Sequence, residues 1–374
     1  MGVTPTLLGL PAFRGSPASS SAEASPSAEA SPSAEASPSA AMPRRGPLID
    51  TFGRVASDLR VSLTDRCNLR CTYCMPAEGL DWLSRDDLLS PIELNRLLRL
   101  AVTRLGITSI RFTGGEPLLY RGLEDIVAAT ARLTPRPEIA LTTNGIGLAA
   151  RAARLAAAGL DRVNISLDTL DPVHFAAITR RDRLNEVLDG LAAATVAGLG
   201  PVKVNAVLDP ATGPRDAVDL LRFCLSHGYQ LRIIEQMPLD AGHRWRREDT
   251  VSARGIEDAL RAEFDLRDDS APRGSTPARL WLVDGGPATV GIIASVSEAF
   301  CGACDRTRLT ADGQVRNCLF ATEETDLRRL LRRGADDTAL ETAWRTAMWR
   351  KAAGHGINDP GFVQPQRPMS AIGG

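Results

Sequence analysis

Three cysteines spaced CxxxCxxC, Cys67, Cys71 and Cys74, stand directly after a strand-like run from Leu59 to Leu63. Three thiolates can hold three irons of a cubic iron–sulfur cluster, whereas an electron-transfer cluster of this kind takes four cysteines. One iron is then open to a substrate or cofactor, which makes the stretch a site for chemistry rather than for electron storage. A zinc knuckle is the alternative. Zinc sites favour paired CxxC units supplying four ligands, and none of the four histidines lies near these cysteines in sequence. A second incomplete set comes late in the chain: Cys301 and Cys304 as CxxC, then Cys318 after thirteen intervening residues. Alone it is ambiguous between zinc with an unseen fourth ligand and another three-cysteine cluster. Beside the first triad, the cluster is the better reading.

Two further patterns suit ligand binding. Arg306 and Arg308 alternate along one stretch beside the second triad and can grip an anionic or purine ligand, the plain alternative being a solvated charged strand. Gly114 and Gly115, in Thr113-Gly-Gly-Glu-Pro117, permit close backbone approach to a ligand. Cys224 lies in a helical pattern, Leu220-Leu-Arg-Phe-Cys-Leu, and reads as an inert core thiol. His174, His227, His243 and His355 are scattered and receive no ligand role.

Strands and helices must alternate to position these residues. Strand-like runs at Leu59 to Leu63, Ile107 to Phe112, Glu138 to Thr142, Arg162 to Leu167, Val202 to Leu208 and Leu231 to Ile234 are separated by helical segments. The first helix opens at Ser90-Pro91-Ile92-Glu93 and ends near Gly106. Six such units predict an α/β fold, an incomplete (βα)6 TIM-type barrel, with a C-terminal extension carrying the second cluster. Cys67, Gly115, Thr142, Ser166, Lys203 and Met237 all fall at or just after strand ends, so they are expected to converge at one mouth. No GxGxxG opens a helix, which disfavours a Rossmann fold. After Met237 the beat stops; Trp245 to Glu263 has helical composition, and a β-rich stretch reaches Ser295. The expected organisation is a disordered tail over 1–46, a partial barrel over 47–245 and a cluster- and nucleotide-binding region over 246–374.

Composition bounds the remaining possibilities. The 374 residues carry 44 basic and 45 acidic side chains, a net charge of −1, so broad attraction to nucleic acid or membrane is not expected. Any anionic ligand must be held by local cations. Two groups of three cysteines and a lone seventh suit clusters better than disulfides and imply the reducing cytoplasm. No apolar stretch is long enough for a membrane span. Residues 21–40 repeat Ser-Pro-Ser-Ala-Glu-Ala, putting Pro26, Pro32 and Pro38 in register; such sequence is expected to be disordered, and Met42 is an alternative translation start.

The triad followed by Gly114-Gly115-Glu116-Pro117 resembles the radical S-adenosylmethionine superfamily. Asp58-Leu-Arg-Val-Ser-Leu-Thr-Asp-Arg-Cys67, Cys74-Met-Pro76, Arg111-Phe-Thr-Gly-Gly-Glu-Pro117, Leu141-Thr-Thr-Asn-Gly145, Asn164-Ile-Ser-Leu-Asp168, the second triad and the terminal Gly373-Gly374 sharpen the likeness to the GTP 3′,8-cyclase family of molybdenum-cofactor biosynthesis. It runs from about Pro47 to the C-terminus. The resemblance implies two [4Fe–4S] clusters: one on Cys67, Cys71 and Cys74, whose free iron chelates S-adenosylmethionine, and one on Cys301, Cys304 and Cys318, whose free iron contacts guanine. Tyr73, Gly115, Ser166 and Met237 match positions around S-adenosylmethionine. Arg60, Arg111, Thr142, Lys203, Arg306, Thr307 and Arg308 match positions that bind GTP. Arg232 and the tail glycines Gly373 and Gly374 match residues implicated in the active site, although a two-glycine terminus by itself reads as frayed. The implied reaction starts with a deoxyadenosyl radical that takes hydrogen from the ribose 3′ carbon, after which that carbon joins C8 of guanine. An electron donor, a downstream cyclic pyranopterin monophosphate synthase and a homodimer are implied partners. Another two-cluster enzyme, acting on a peptide, and a non-enzymatic metal-binding module are the competing readings; arginines beside the second triad favour the nucleotide.

Overall fold

The computed structural model describes residues 41–373. The repeat over 21–40 and the terminal Gly374 therefore lie outside the described residues. A short antiparallel ribbon, β1 (Leu48–Ile49) and β2 (Val55–Ala56), leads into β3 (Asp58–Ser62). There follow α1 (Pro91–Leu105), β4 (Ser109–Thr113), α2 (Leu123–Ala131), β5 (Glu138–Thr143), α3 (Ala152–Ala158), β6 (Arg162–Ser166), α4 (Pro172–Thr179), α5 (Leu184–Val196), β7 (Lys203–Ala206), α6 (Gly213–His227) and β8 (Gln230–Ile234). Downstream come α7 (Ala253–Arg261), β9 (Leu266–Asp268), β10 (Arg279–Val283), β11 (Thr289–Ile293), β12 (Arg306–Leu309), β13 (Gln314–Arg316), β14 (Thr325–Asp326), α8 (Leu327–Arg332), α9 (Asp337–Trp349) and α10 (Met369–Ile372). No helix among the described residues is long and apolar enough to cross a membrane.

Strands β3 to β8 pair in parallel and in chain order, as the alternating pattern predicts. The extension does more than carry cysteines. Its β12 pairs parallel with β3 and its β11 parallel with β8, adding one parallel strand at each side of the core. Antiparallel β13 and β14 continue one side, β10 and β9 the other. Strands β9 and β14 are the two ends of this sheet, which is open. The expected helix from Trp245 to Glu263 is shorter: Arg247–Asp249 form a single 3-10 turn and the helix proper is Ala253–Arg261, because Ser252 caps it by accepting from the Gly255 amide.

Local chemistry explains the core units. Ser90 and Glu93 form a capping box at the start of α1, Pro91 occupies its first turn, and Gly106 ends it in the left-handed region at φ 75°. Along the parallel strands, residues alternate between two faces. Leu59, Val61, Ile110, Phe112, Ile139, Leu141, Val163, Ile165, Val204, Leu231 and Ile233 are fully buried on one face. Helices cover that face, so burial of these side chains holds the sheet and leaves the other face for polar residues.

Packing of the turn by itself requires glycine at Gly115. A Cβ there would lie 2.3 Å from the Arg66 carbonyl oxygen and 2.4 Å from that of Asp65. Its amide donates to Thr64 O at 2.7 Å, and the Glu116 amide to Arg66 O at 2.7 Å. The missing side chain thus lets the glycine turn lie against the cysteine loop. Gly115→Ala is expected to cost about 1–3 kcal/mol through overpacking, lower the Tm and displace the loop ending in Cys67, measurable as loss of iron on reconstitution. An unchanged Tm and iron content would contradict this account of the turn.

Candidate functional site

Register assembles the polar face from positions far apart in sequence. Arg308 pairs with Arg60, and Arg60 with Arg111, so three guanidiniums stand in one row across β12, β3 and β4. Thr142, Asn164 and Lys203 form a second row across β5, β6 and β7, and Ser166, Asn205 and Arg232 a third across β6, β7 and β8. Arg162 and Arg306 share this face by alternation. Along β3 to β8 and β12, seven cations, Arg60, Arg111, Arg162, Lys203, Arg232, Arg306 and Arg308, share this face with two acidic residues, Asp58 and Glu138.

The excess charge is visible in the protonation of the groups. Burial, then Arg60 and Arg162, drives the Arg111 guanidinium well below its ordinary value. Burial, then Arg60 and Arg306, pushes Arg308 down to about 9; burial pushes Arg232 down to about 10. Asp58 bonds Arg60 at 3.0 Å, and despite burial Arg60, Arg111 and Arg306 hold its carboxyl below the usual range. Glu138 is the partner of Arg162. Arg111 Nε, Arg162 Nη1, Arg306 Nη2 and Asn164 Oδ1 remain buried without hydrogen-bond partners. Unpaired buried donors of this kind are costly unless a ligand supplies acceptors. The face is chemically suited to a polyanion.

The first triad lies on the loop after β3. Cys67 Sγ accepts from the Leu69 amide at 3.4 Å and from Asn144 Nδ2 at 3.9 Å. Asn144 is itself fixed by Glu116, whose buried carboxylate accepts from the Asn144 amide at 2.7 Å, Thr143 Oγ1 at 2.6 Å and the Leu118 amide at 2.9 Å. Burial pushes Glu116 up to about 7. The Tyr73 hydroxyl donates to Asp168 Oδ2 at 2.8 Å, and burial pushes Asp168 up to about 6. Burial raises Cys67 to about 11 and Cys74 to about 12. Such thiols become thiolates only against a strong positive partner, which a cluster of irons is.

The second triad follows a short 3-10 turn, Cys301–Ala303, and leads into β12. Cys304 Sγ accepts from Lys351 Nζ at 3.2 Å. Burial alone would raise this thiol, but Arg306 and Lys351 outweigh it and leave it below its ordinary value. All six thiols are free and half-buried. Within each triad they act on one another's charge, yet among the described residues no three His, Cys, Asp or Glu side chains converge as a single metal ion needs. Ligands of a cubic cluster bind separate irons and stand further apart, so the donor sets fit clusters.

The C-terminal tail joins the two halves and is not frayed. Ile372 is fully buried in a small apolar cluster with Leu239, Val296, Phe320 and Ile357, against which Met237 and Cys318 also pack. The Ser370 amide hydrogen-bonds Cys74, and Arg308 Nη1 donates to the Gly373 carbonyl. Gly373 lies so close to Ser62 and Thr113 that a Cβ would be 2.7 Å from Thr113 Cγ2. Arg308 in turn feels the charges of Cys318 and Cys304.

Of the residues expected at the mouth, Cys67 and Gly115 follow β3 and β4 and Thr142 and Ser166 stand at the ends of β5 and β6, whereas Lys203 opens β7 rather than ending it and meets Thr142 through the row with Asn164. Thr307 is not on the polar face: it is fully buried on the opposite side, where its Oγ1 accepts from Trp344 Nε1 at 3.1 Å. Alternation along β12 alone predicts that separation from Arg306 and Arg308. Met237 packs into the apolar cluster beneath the tail. Arg162, Asn164 and Asn205 were missed, although their strand alternation with Val163, Ile165 and Val204 was a usable signal. Asn144 lay inside the Leu141–Gly145 motif without a role assigned to it, and Lys351 depends on packing between distant segments and had no local signal.

Comparison with known proteins bears on the same regions. Residues 61–224 match the Radical SAM superfamily, and 229–357 match Molybdenum Cofactor Synthesis C. The chain is 76% identical over 335 residues to a GTP 3′,8-cyclase of Mycobacterium sp. (strain KMS), covering 90% of this chain and 96% of that relative. It is 73% identical over 336 residues to a GTP 3′,8-cyclase of Mycobacterium marinum, covering 89% and 93%. Among solved structures, Streptococcus suis SuiB bound to S-adenosylmethionine is similar with a TM-score of 0.53 at 15% identity, over 81% of this chain and 66% of that chain, a likeness of fold alone.

Proposed function

The chain belongs to the GTP 3′,8-cyclase family, and on that premise we propose that it converts GTP to (8S)-3′,8-cyclo-7,8-dihydroguanosine 5′-triphosphate on the polar face of its sheet, the first step of molybdenum-cofactor biosynthesis. The observation that supports the assignment to this face is the excess of cations on it, with the row Arg308, Arg60 and Arg111 between the two cysteine triads and buried donors of Arg111, Arg162 and Arg306 left without partners. Cys67, Cys71 and Cys74 would hold a cluster that serves S-adenosylmethionine, and Cys301, Cys304 and Cys318 would hold a second on the nucleotide's side. When bound, the first cluster and S-adenosylmethionine supply the radical that starts the reaction.

The chain's own residues position the reactants. Arg60, Arg111, Lys203, Arg306 and Arg308 neutralise the triphosphate, while Thr142 donates from the adjoining row. Ser166 and the Gly115 backbone, near the first triad's loop, orient S-adenosylmethionine; Tyr73, anchored on Asp168, steadies that loop. Arg232 has no carboxylate partner among the described residues and is free to act on the developing product. Gly373 closes the chamber beside Arg308. Residues 47–245 supply the radical-generating part and 246–374 the nucleotide-binding part. An electron donor, product transfer to cyclic pyranopterin monophosphate synthase, a homodimer and a cytoplasmic setting complete the proposal; the seven free cysteines support that compartment. The test is anaerobic incubation of reconstituted, reduced protein with GTP and S-adenosylmethionine. Matching yields of deoxyadenosine and cyclised nucleotide are expected; deoxyadenosine without cyclised nucleotide would defeat the substrate assignment.

Lys203 gives this reading a pH signature. Burial, then Arg232, Arg162 and Arg111, pushes its ammonium down to about 8. In the ligand-free protein this is a cost to the folded state below about pH 8, relieved as pH rises from there toward the ordinary lysine value of about 10.4. A bound triphosphate favours the charged form, so GTP affinity should fall by up to about tenfold per pH unit above about 8. Lys203→Met should bind GTP more weakly and lose that dependence. A wild-type affinity that stays flat between about pH 7 and 9 would contradict it.

A further inference from the structure

Behind the second triad sits a lysine that no motif announces. Lys351 lies just past α9 and is 4% exposed, a depth at which lysine is rare unless paired. Its ammonium donates to Cys304 Sγ at 3.2 Å, Cys304 O at 3.2 Å and Arg306 O at 2.9 Å. Three acceptors thus take its three protons, and the thiolate is the only one that carries charge. The segment beyond it is clamped. Arg54 Nη1 donates to Ala353 O and to Cys301 O, each at 2.8 Å, and Nη2 to Ala352 O at 2.6 Å, while Asp50 anchors Arg54 Nε at 2.6 Å. One arginine therefore ties this segment to Cys301, and Lys351 ties it to Cys304.

Resting on the two-cluster reading, we infer that Lys351 is a positioning residue for the second cluster, fixing Cys304 as its ligand and setting its reduction potential through a charge-assisted N–H···S bond. Charge and hydrogen bonds at cluster sulfurs are established levers on potential, and a buried cation favours the reduced, more negative form. Arg306 also acts on Cys304, through its charge and its backbone amide, but its guanidinium stacks 5.2 Å over the Phe300 ring and that of Arg308 is engaged by Gly373, so Lys351 supplies the side-chain N–H···S contact. Among the described residues the lysine has no other charged hydrogen-bond acceptor.

The test is an anaerobic redox titration of reconstituted wild-type protein and Lys351→Met, followed by electron paramagnetic resonance. Added GTP identifies the signal of the second cluster, and added S-adenosylmethionine that of the first. In Lys351→Met the GTP-responsive signal should shift to a more negative midpoint, or disappear with iron falling from about eight to about four per chain, while the other signal is unmoved. Lys351→Arg, which keeps the charge, should return the midpoint toward wild type. Should the methionine variant fail to fold, Lys351→Gln retains a donor without the charge and must show the same negative shift. An unchanged second midpoint in a folded variant, or equal loss of both clusters, would overturn the inference. Failure of the two-cluster reading is distinguishable, because wild-type protein itself would then show a single signal and about four irons.

Discussion

Cys71→Ala is expected to abolish deoxyadenosine formation and reduce the iron of reconstituted protein from about eight to about four per chain. Cys71 lies centrally in the first triad: the amides of Cys74 and Met75 both donate to its carbonyl at 3.0 Å, and its thiol feels the charges of Cys67, Cys74 and Asp168. Two remaining thiolates cannot hold three irons. The second triad stands on the Cys301–Ala303 turn before β12 and on the segment after β13, held by Lys351 at Cys304, so its iron should remain. GTP binding should remain too, since Arg60, Arg111 and Arg308 owe their row to strand pairing. Iron analysis with a nucleotide-binding assay checks both halves. Loss of all iron would mean that the triads fold as one unit.

Gly373→Val should lower cyclised-nucleotide yield by about 10- to 100-fold while deoxyadenosine formation persists. Gly373 adopts φ 83° and ψ 119°, a conformation that side chains rarely take, and its Cβ would be 2.7 Å from Thr113 Cγ2. Relief comes only if the tail leaves its groove. Strain of about 1–3 kcal/mol is enough to shift that docking by the stated factor, at about 1.4 kcal/mol per tenfold. Departure removes the carbonyl on Arg308 and uncovers the face between the triads. Uncoupling is the signature, because all three cysteines of the first triad remain and only the Ser370 amide's bond to Cys74 goes with the tail. A variant with full yield would show that the docked tail has no part in turnover.

How far these features could be read in advance follows from their range along the chain. The capping box at Ser90 and Glu93, the six core strands and the cysteine spacings are local patterns and were legible. Strands β11 and β12 joining opposite sides of the core were not, because nothing local in either says which neighbour it pairs. Gly115 was legible as special, but its packing against Arg66 O was not, since only the fold brings that carbonyl to it. Thr307 was carried along with its arginine neighbours, although strand alternation turns it to Trp344. The tail glycines read alone as a frayed end; up to Gly373 the described tail is held by the buried Ile372 and by the bond from Arg308. Lys351 required contacts across 47 residues of sequence and could not be found by spacing.

The central claim is that GTP lies on the cationic face with its ribose presented to the radical made at the first triad. Anaerobic turnover with GTP deuterated at the ribose 3′ carbon tests it most directly. The account predicts deoxyadenosine carrying one deuterium, formed together with cyclised nucleotide. Unlabelled deoxyadenosine accompanying cyclised product would contradict it, since hydrogen would then leave from another position.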